Sequence, residues 1–366
     1  MAIYNVTLTN FRNFKNKSLS FSKATTVVVG PNAIGKTNIL EAIHLLSTGK
    51  SFRAGVEAEM VLQGVGIARV IGEVGEGNEK TKLEAVLVNG SGGGEFGKVE
   101  EVKGKRLLVN GVAKRLVDFV GNLRTVLFGP WDMNLVSGSP SLRRGFLDSM
   151  LSQVDSEYRR SLLSYEKGLR QRNRILWDLR EASVFGTASR ERLHFWDKLL
   201  IKNGDYITKE RENFINFANT EGAGLAANFR LIYDKSAISE TRLKDYEKEE
   251  IAAAQTLVGP HRDDIKFSAL NTDDSKTGDL ASFGSRGEQR MGVLWLKLRE
   301  LAFIEEKSGE RPTLLLDDIF SELDHNHRDL VMKVVNHQQT IITTADEHFV
   351  EDLPQSSIIK LYGDRK

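Results

Sequence analysis

Residues Gly30-Pro31-Asn32-Ala33-Ile34-Gly35-Lys36-Thr37 constrain this chain more than any other segment. They match G-x-x-x-x-G-K-[ST], a loop whose backbone N–H groups wrap phosphate oxygens. The pattern carries meaning only between a strand and a helix. Both are expected: Thr26-Val27-Val28-Val29 reads as a buried strand, and Asn38 to Ser47 as a helix. The glycines let the backbone turn inward, and the helix N-terminus adds partial positive charge. Lys36 is placed to reach the β- and γ-phosphates, and Thr37 to ligate Mg²⁺. With Asn38, these residues form the expected ATP-contacting stretch of an α/β fold.

A second motif lies far downstream. Thr313-Leu314-Leu315-Leu316-Asp317-Asp318 is an apolar strand ending in two carboxylates, the Walker B pattern. Asp317 is expected to hold Mg²⁺ opposite Thr37. Asp318 is expected to be catalytic with Lys36, orienting or deprotonating the attacking water. The two motifs are about 280 residues apart, yet they must meet around one metal ion. The chain therefore leaves the nucleotide core, builds something else and returns.

Composition fits that plan. A chain of 366 residues forms two domains or one large domain with an insertion. Its 51 Lys+Arg against 50 Asp+Glu leave a net charge of +1, so any nucleic-acid surface must be local. Cysteine is absent, which excludes disulfides and thiolate zinc sites and suits a cytoplasmic protein. Met1 to Phe14 alternates polar and apolar residues with no signal-peptide core, and no apolar run is long enough for a membrane span.

Before Walker B, Ser282-Phe283-Gly284-Ser285-Arg286-Gly287-Glu288-Gln289-Arg290 precedes a helical pattern of Met291, Leu294, Trp295, Leu298, Leu301 and Ala302. Ser285 reads as the N-cap. The segment also matches S-x-G-x-Q, the signature of ABC-type ATPases. Ser285, Gly287 and Gln289 would form an anion site at a helix start. In that superfamily the site serves the γ-phosphate of another subunit, which implies an ATP-sandwiching homodimer. Ser321-Glu322-Leu323-Asp324 resembles the D-loop. Thr340–Thr344 is the next strand, and it ends at Ala345-Asp346, where transporters carry a switch histidine; His348 reads as a surface residue.

Between the motifs, strands are expected over Ile67–Val74, Lys82–Leu87 and Val99–Val109, separated by loops at Gly75–Gly77 and Gly90–Gly94. They suggest an antiparallel sheet beside the core. Strand-then-Gly-Pro recurs at Val27–Pro31, Thr125–Pro130 and Thr256–Pro260, which suggests three turns along one sheet edge. From Ser139 to Ala218 the pattern is helical, without a sustained heptad seam and hence without a coiled-coil arm. Between Arg143 and Arg180 there are nine Lys/Arg and five Asp/Glu, a local excess of +4 (9 − 5). Arg143, Arg144, Arg170, Arg172 and Arg174 are candidate DNA-phosphate contacts; a solvated helix face would carry the same charges. Residues 1–130 and 250–366 are assigned to the ATPase lobe, and 131–249 to an inserted, mainly helical lobe.

Over essentially its whole length the chain resembles the RecF family, bacterial DNA-repair ATPases related to the SMC group. Beyond the phosphate loop, the likeness rests on Asn10-Phe11-Arg12-Asn13-Phe14, Lys50-Ser51-Phe52-Arg53, Gly138-Ser139-Pro140-Ser141-Leu142-Arg143-Arg144-Gly145-Phe146-Leu147-Asp148 and Gly259-Pro260-His261-Arg262-Asp263-Asp264. Two positions depart from the family's pattern: Trp131 stands between Pro130 and Asp132, and Glu288 brings negative charge into the signature. No Q-loop glutamine aligns. The resemblance implies an ABC-type ATPase head of two lobes, with Arg12 and Asn13 near the nucleotide. It also implies slow DNA-stimulated ATP hydrolysis, ATP-dependent dimerisation, and binding to double-stranded DNA near gaps. RecR and RecO would be recruited so that RecA loads on gapped DNA. An ABC transporter ATPase would place its motifs closer together and carry the switch histidine. An ABC-headed DNA nuclease would need a further domain, and fewer than fifty residues follow Asp318.

Overall fold

A computed structural model describes residues 2–76, 79–89, 104–182, 187–220, 229–269, 278–321, 328, 331–332, 334–335, 337–346 and 356–362. Contacts divide the chain into two units, 1–132 with 304–366, and 133–303.

The first unit holds two sheets. β1 (Ala2–Phe11), β2 (Phe14–Ser20), β4 (Ile67–Glu76), β5 (Glu79–Val88), β6 (Gly104–Val109) and β7 (Val112–Lys114) form an antiparallel sheet in the order β2-β1-β4-β5-β6-β7. The expected strands are present, but Gly75 and Glu76 continue β4, where Glu76 pairs with Glu79 of β5; Gly77 of the expected loop lies outside the described residues. Residues 90–103, including one expected loop and the start of one strand, lie outside the described residues. The second sheet contains β3 (Thr25–Val29), β8 (Thr125–Phe128), β12 (Thr313–Asp317), β13 (Thr340–Thr344) and β14 (Ser357–Lys360), all parallel, in the order β14-β3-β13-β12-β8. β3, β12 and β13 are buried throughout, as parallel strands covered on both faces must be. Between the two sheets runs α1 (Lys36–Thr48), whose Ile39, Leu40, Ile43, Leu45 and Leu46 join the core with Val6, Leu8, Val70 and Ile341. A short turn, α2 (Leu116–Phe119), adds Phe119 to that core.

The second unit begins with a short α3 (Asn134–Ser137) and three longer helices, α4 (Pro140–Val154), α5 (Ser156–Ala182) and α6 (Thr187–Asn219). A small antiparallel sheet follows, β9 (Phe229–Asp234), β10 (Asp264–Ala269) and β11 (Gly278–Asp279), with α7 (Glu240–Asp245), α8 (Glu247–Ala253) and α9 (Leu280–Phe283) around it. α10 (Arg286–Ser308) starts here. The sequence-based boundary at 249/250 therefore moves to 303. The continuous register from Asp264↔Asp234 to Ala269↔Phe229 binds both sides of the expected boundary into one sheet. Thr256–Val258 is likewise not a strand of the parallel sheet: it is a loop between α8 and a 3₁₀ turn at Pro260–Arg262. Only the other two Gly-Pro turns end strands of that sheet.

Candidate nucleotide site

Strand β3 delivers the chain into the loop, and α1 leaves it at Lys36. Gly35 has φ 110°, and a Cβ there would lie 2.7 Å from Asn13 Oδ1, so only glycine fits. Ala33 also takes a left-handed conformation, φ 64°, at a cost of roughly 1 kcal/mol. The Lys36 ammonium donates to the Gly30 carbonyl at 2.6 Å and the Pro31 carbonyl at 3.1 Å, inside the loop. Burial lowers its pKa, opposed by the negative fields of Asp318 and Asp317. Asn38 donates to Asn13 Oδ1 at 2.7 Å, and Asn13 donates to the Ile34 carbonyl at 2.9 Å, so the β1–β2 turn braces the loop.

The two distant motifs meet. The Thr37 hydroxyl donates to Asp317 Oδ2 at 2.8 Å, and Asp317 Oδ1 accepts from the Thr343 hydroxyl. The parallel order β3-β13-β12 creates this meeting, because the carboxyl ends of these strands lie at one sheet edge. A hydroxyl and a carboxylate oxygen at that separation are the hard donors Mg²⁺ prefers, and Mg²⁺ takes its other ligands from water and phosphate. Thr37 and Asp317 thus fit that ion. Asp318 stands next in line with φ 50°, its N–H donating to the Thr343 carbonyl at 3.1 Å. At the end of β13, the Asp346 N–H donates to Thr344 Oγ1, with no histidine in the switch position. His348 and most of the expected D-loop, 322–324, lie outside the described residues.

Arg12, expected near the nucleotide, is held by Glu41 and by the backbone at Glu59. Its Nε donates to Glu41 Oε2 at 2.8 Å, its second terminal nitrogen to Glu41 Oε1, and its first to the Glu59 carbonyl at 2.6 Å. Glu41, on α1 and wholly buried, also accepts from Ser51 and from Arg53 at 2.9 Å. Burial pushes the Glu41 carboxyl up, but hydrogen bonds from Arg12, Ser51 and Arg53 outweigh it and hold it below the usual carboxylate range. Sequence reasoning named Arg12 and the Ser51–Arg53 segment but missed their shared anchor. The available signal was a lone glutamate among the apolar residues of α1. Trp131 stacks on Phe52 with ring centroids 4.6 Å apart, so this departure from the family pattern serves local packing.

In the second unit, Ser285 caps α10 reciprocally. Its hydroxyl accepts the Glu288 N–H at 3.3 Å, and Glu288 Oε2 accepts the Ser285 N–H at 2.7 Å. Glu288 is thereby a capping-box residue, its carboxyl held low by those hydrogen bonds to Ser285. Gln289, expected to contact ATP, turns its amide N–H₂ onto the Leu280 and Gly284 carbonyls at 3.1 and 3.2 Å. Space beside Gly287 is open: a Cβ there would find only Ser285 Oγ, at 3.9 Å.

The structure removes two of the five candidate DNA-contacting arginines. Arg143 is buried and clasps Asp264 with two bonds of 2.6 and 2.9 Å. Arg172 is 2% exposed and bonds Asp197 at 2.6 Å, Glu250 at 2.7 Å and Thr256 at 3.0 Å. Arg144 is half-buried and donates to the Asp263 carbonyl at 2.8 Å. Arg170 and Arg174 remain exposed. Arg172 falls on the helix face of Tyr165, Gly168, Leu176 and Leu179, a spacing that marks it as interior. The two family-like segments in this unit turn out to be halves of one buried polar cluster. Arg211, missed from sequence, joins Asp148 of the first at 2.8 Å to Asp263 of the second at 2.9 Å.

Comparison with known proteins now decides the family. The model described as RecF/RecN/SMC N terminal domain matches residues 2–366. The chain is 34% identical to the DNA replication and repair protein RecF of Herpetosiphon aurantiacus, covering 94% of each chain.

The chain belongs to the RecF family.

It is also 33% identical to the RecF of Rippkaea orientalis, over 97% of this chain and 96% of that one. Among solved structures it is similar to "the recombination mediator protein RecF-ATPrS in RecFOR pathway", with TM-score 0.83, 30% identity, and coverage of 99% of this chain and 96% of that one. An Smc head domain from Pyrococcus furiosus, 16% identical with TM-score 0.51, shares the fold. The expected SMC-like, ABC-type ATPase head is thus the fold of this RecF-family chain, which displaces the transporter and nuclease alternatives. Among the described residues, no helix is long and apolar enough to cross a membrane.

Proposed function

We propose that this RecF-family chain is an ATP-dependent DNA-binding protein of recombinational repair. ATP draws two copies into a homodimeric clamp on duplex DNA near single-stranded gaps, and slow, DNA-stimulated hydrolysis releases it. The observation that carries the reading is the 2.8 Å contact of Thr37 with Asp317, which joins motifs about 280 residues apart at one point. Lys36 binds phosphate, its ammonium leaving the Gly30 and Pro31 carbonyls to do so. Mg²⁺, held by Thr37 and Asp317, neutralises phosphate charge when bound. Asp318 takes a proton from, or orients, the attacking water. Ser285 and Gly287 at the start of α10 face the γ-phosphate bound to the second copy. The solved relative carrying ATPrS and described within the RecFOR pathway supports nucleotide binding. Its description as a recombination mediator in the RecFOR pathway also supports a mediator role. On this reading the chain acts beside RecR and RecO, and the role ends in recombinase (RecA) loading. A cytoplasmic location follows from that role.

Nucleotide binding and single-turnover hydrolysis test this reading in the full chain, with and without gapped duplex. Lys36→Ala should lose ATP affinity. Asp318→Asn should bind ATP normally and hydrolyse it about 10²–10⁴-fold more slowly. Wild-type turnover by Asp318→Asn would remove Asp318 from the mechanism.

A further inference from the structure

Helix α5 has two faces of different chemistry. Tyr165, Gly168, Arg172, Leu176 and Leu179 form the buried face. Leu163, Lys167, Arg170, Arg174 and Trp177 follow at i, i+4, i+7, i+11 and i+14, which places them on the opposite face. All five are exposed, Trp177 by 51%. Other cations of this helix are engaged: Arg172 inward, Arg160 with Glu157, and Arg180 with Glu181. Among the described residues, Lys167, Arg170 and Arg174 have no ion-pair partner, although Glu166 and Asp178 flank the stripe. The Trp177 indole has no ring contact there either.

We propose that this stripe binds single-stranded nucleic acid: Trp177 stacks on an unpaired base, and Lys167, Arg170 and Arg174 hold the phosphates leading to it. The inference rests on the DNA-binding reading above and narrows it to the unpaired strand. Ten residues of helix separate Lys167 from Trp177, about 15 Å, enough for a few nucleotides. Three adjacent cations without carboxylate partners match a polyanion. The exposed indole separates strand types. In a duplex, base faces are stacked on one another and only edges and phosphates are offered, whereas an unpaired base offers its π-face.

Fluorescence anisotropy of the full-length chain tests the proposal with two probes, an oligo-dT of about 20 nucleotides and a blunt duplex of the same length. Trp177→Ala should weaken oligo-dT binding about 5- to 100-fold, leave duplex affinity and ATP binding unchanged, and leave the salt slope unchanged because stacking releases no counterions. Trp177→Phe should restore most of the loss. Equal losses on both probes, or no loss on oligo-dT, would overturn the stacking role. Separately, Arg170→Ala with Arg174→Ala should flatten the salt slope by about one to two units on both probes. Unchanged affinity of that variant for both would remove the DNA reading of this helix, and the inference with it.

Discussion

Replacing Glu41 with alanine should destabilise the nucleotide-binding unit by about 3 kcal/mol. Glu41 is wholly buried and receives Arg12, Arg53 and Ser51. Removing one partner of a buried ion pair typically costs about 3–5 kcal/mol, because the remaining charge stays desolvated. Arg12 side-chain exposure is only 17%, so it would bear most of that penalty. Arg53, 38% exposed, would turn to water and add little. The low end of the range follows. A double-mutant cycle of Glu41→Ala with Arg12→Ala, read by urea unfolding, should give a coupling of about 2 kcal/mol. The pH dependence has a definite sign. The folded-state pKa of Glu41 lies below its ordinary 4.5, so its contribution is complete above about pH 4.5 and is lost as pH falls through the lower folded value. The gap between wild type and Glu41→Ala should close in acid. A loss below about 1 kcal/mol, or a coupling near zero, would refute the claim that Glu41 anchors both arginines.

Other consequences are equally open to measurement. Ser285→Arg should leave a folded chain that binds ATP but stays monomeric, as read by sedimentation velocity. Ala33→Gly should stabilise the nucleotide-binding unit by a few tenths to about 1 kcal/mol, because Ala33 holds φ 64°; a loss on urea unfolding would contradict the strain. His261 is half-buried between the Tyr165 hydroxyl at 2.8 Å and the Thr256 carbonyl at 3.0 Å. That carbonyl can only accept, so Nε2 carries the proton and Nδ1 accepts from Tyr165. Burial lowers the His261 pKa from 6.5 to about 4. Stability from the neutral form is therefore full above about pH 6.5 and falls by up to about 1.4 kcal/mol per pH unit toward pH 4. His261→Gln should flatten that slope.

The parts legible from sequence were those governed by local chemistry. The phosphate loop, the start of α1 and the two-carboxylate end of β12 each announce themselves within a few residues. The need for them to share one metal ion predicted their meeting before any topology was known. Helix faces were harder to read. Arg143 and Arg172 have the same residue type as Arg170 and Arg174, and charge alone does not separate them: Arg143 on α4 turns to Asp264 and Arg172 on α5 to Asp197 and Glu250, and only the apolar spacing around Arg172 hinted at this. The unit boundary was missed for a similar reason. β10 pairs with β9 across an intervening pair of helices, and such a long-range register leaves no mark at residue 250. Glu41 escaped notice because its partners come from segments flanking α1 on either side, at Arg12 and at Ser51–Arg53.

Molar mass in solution, measured by sedimentation velocity with and without ATP and with and without gapped duplex DNA, tests the ATP-driven clamp. A monomer without nucleotide and a dimer with ATP are expected. Asp318→Asn should prolong the dimer and gapped duplex should stabilise it, while Lys36→Ala and Ser285→Arg should abolish it. A chain that binds and hydrolyses ATP yet stays monomeric in all four conditions would contradict the shared-site clamp.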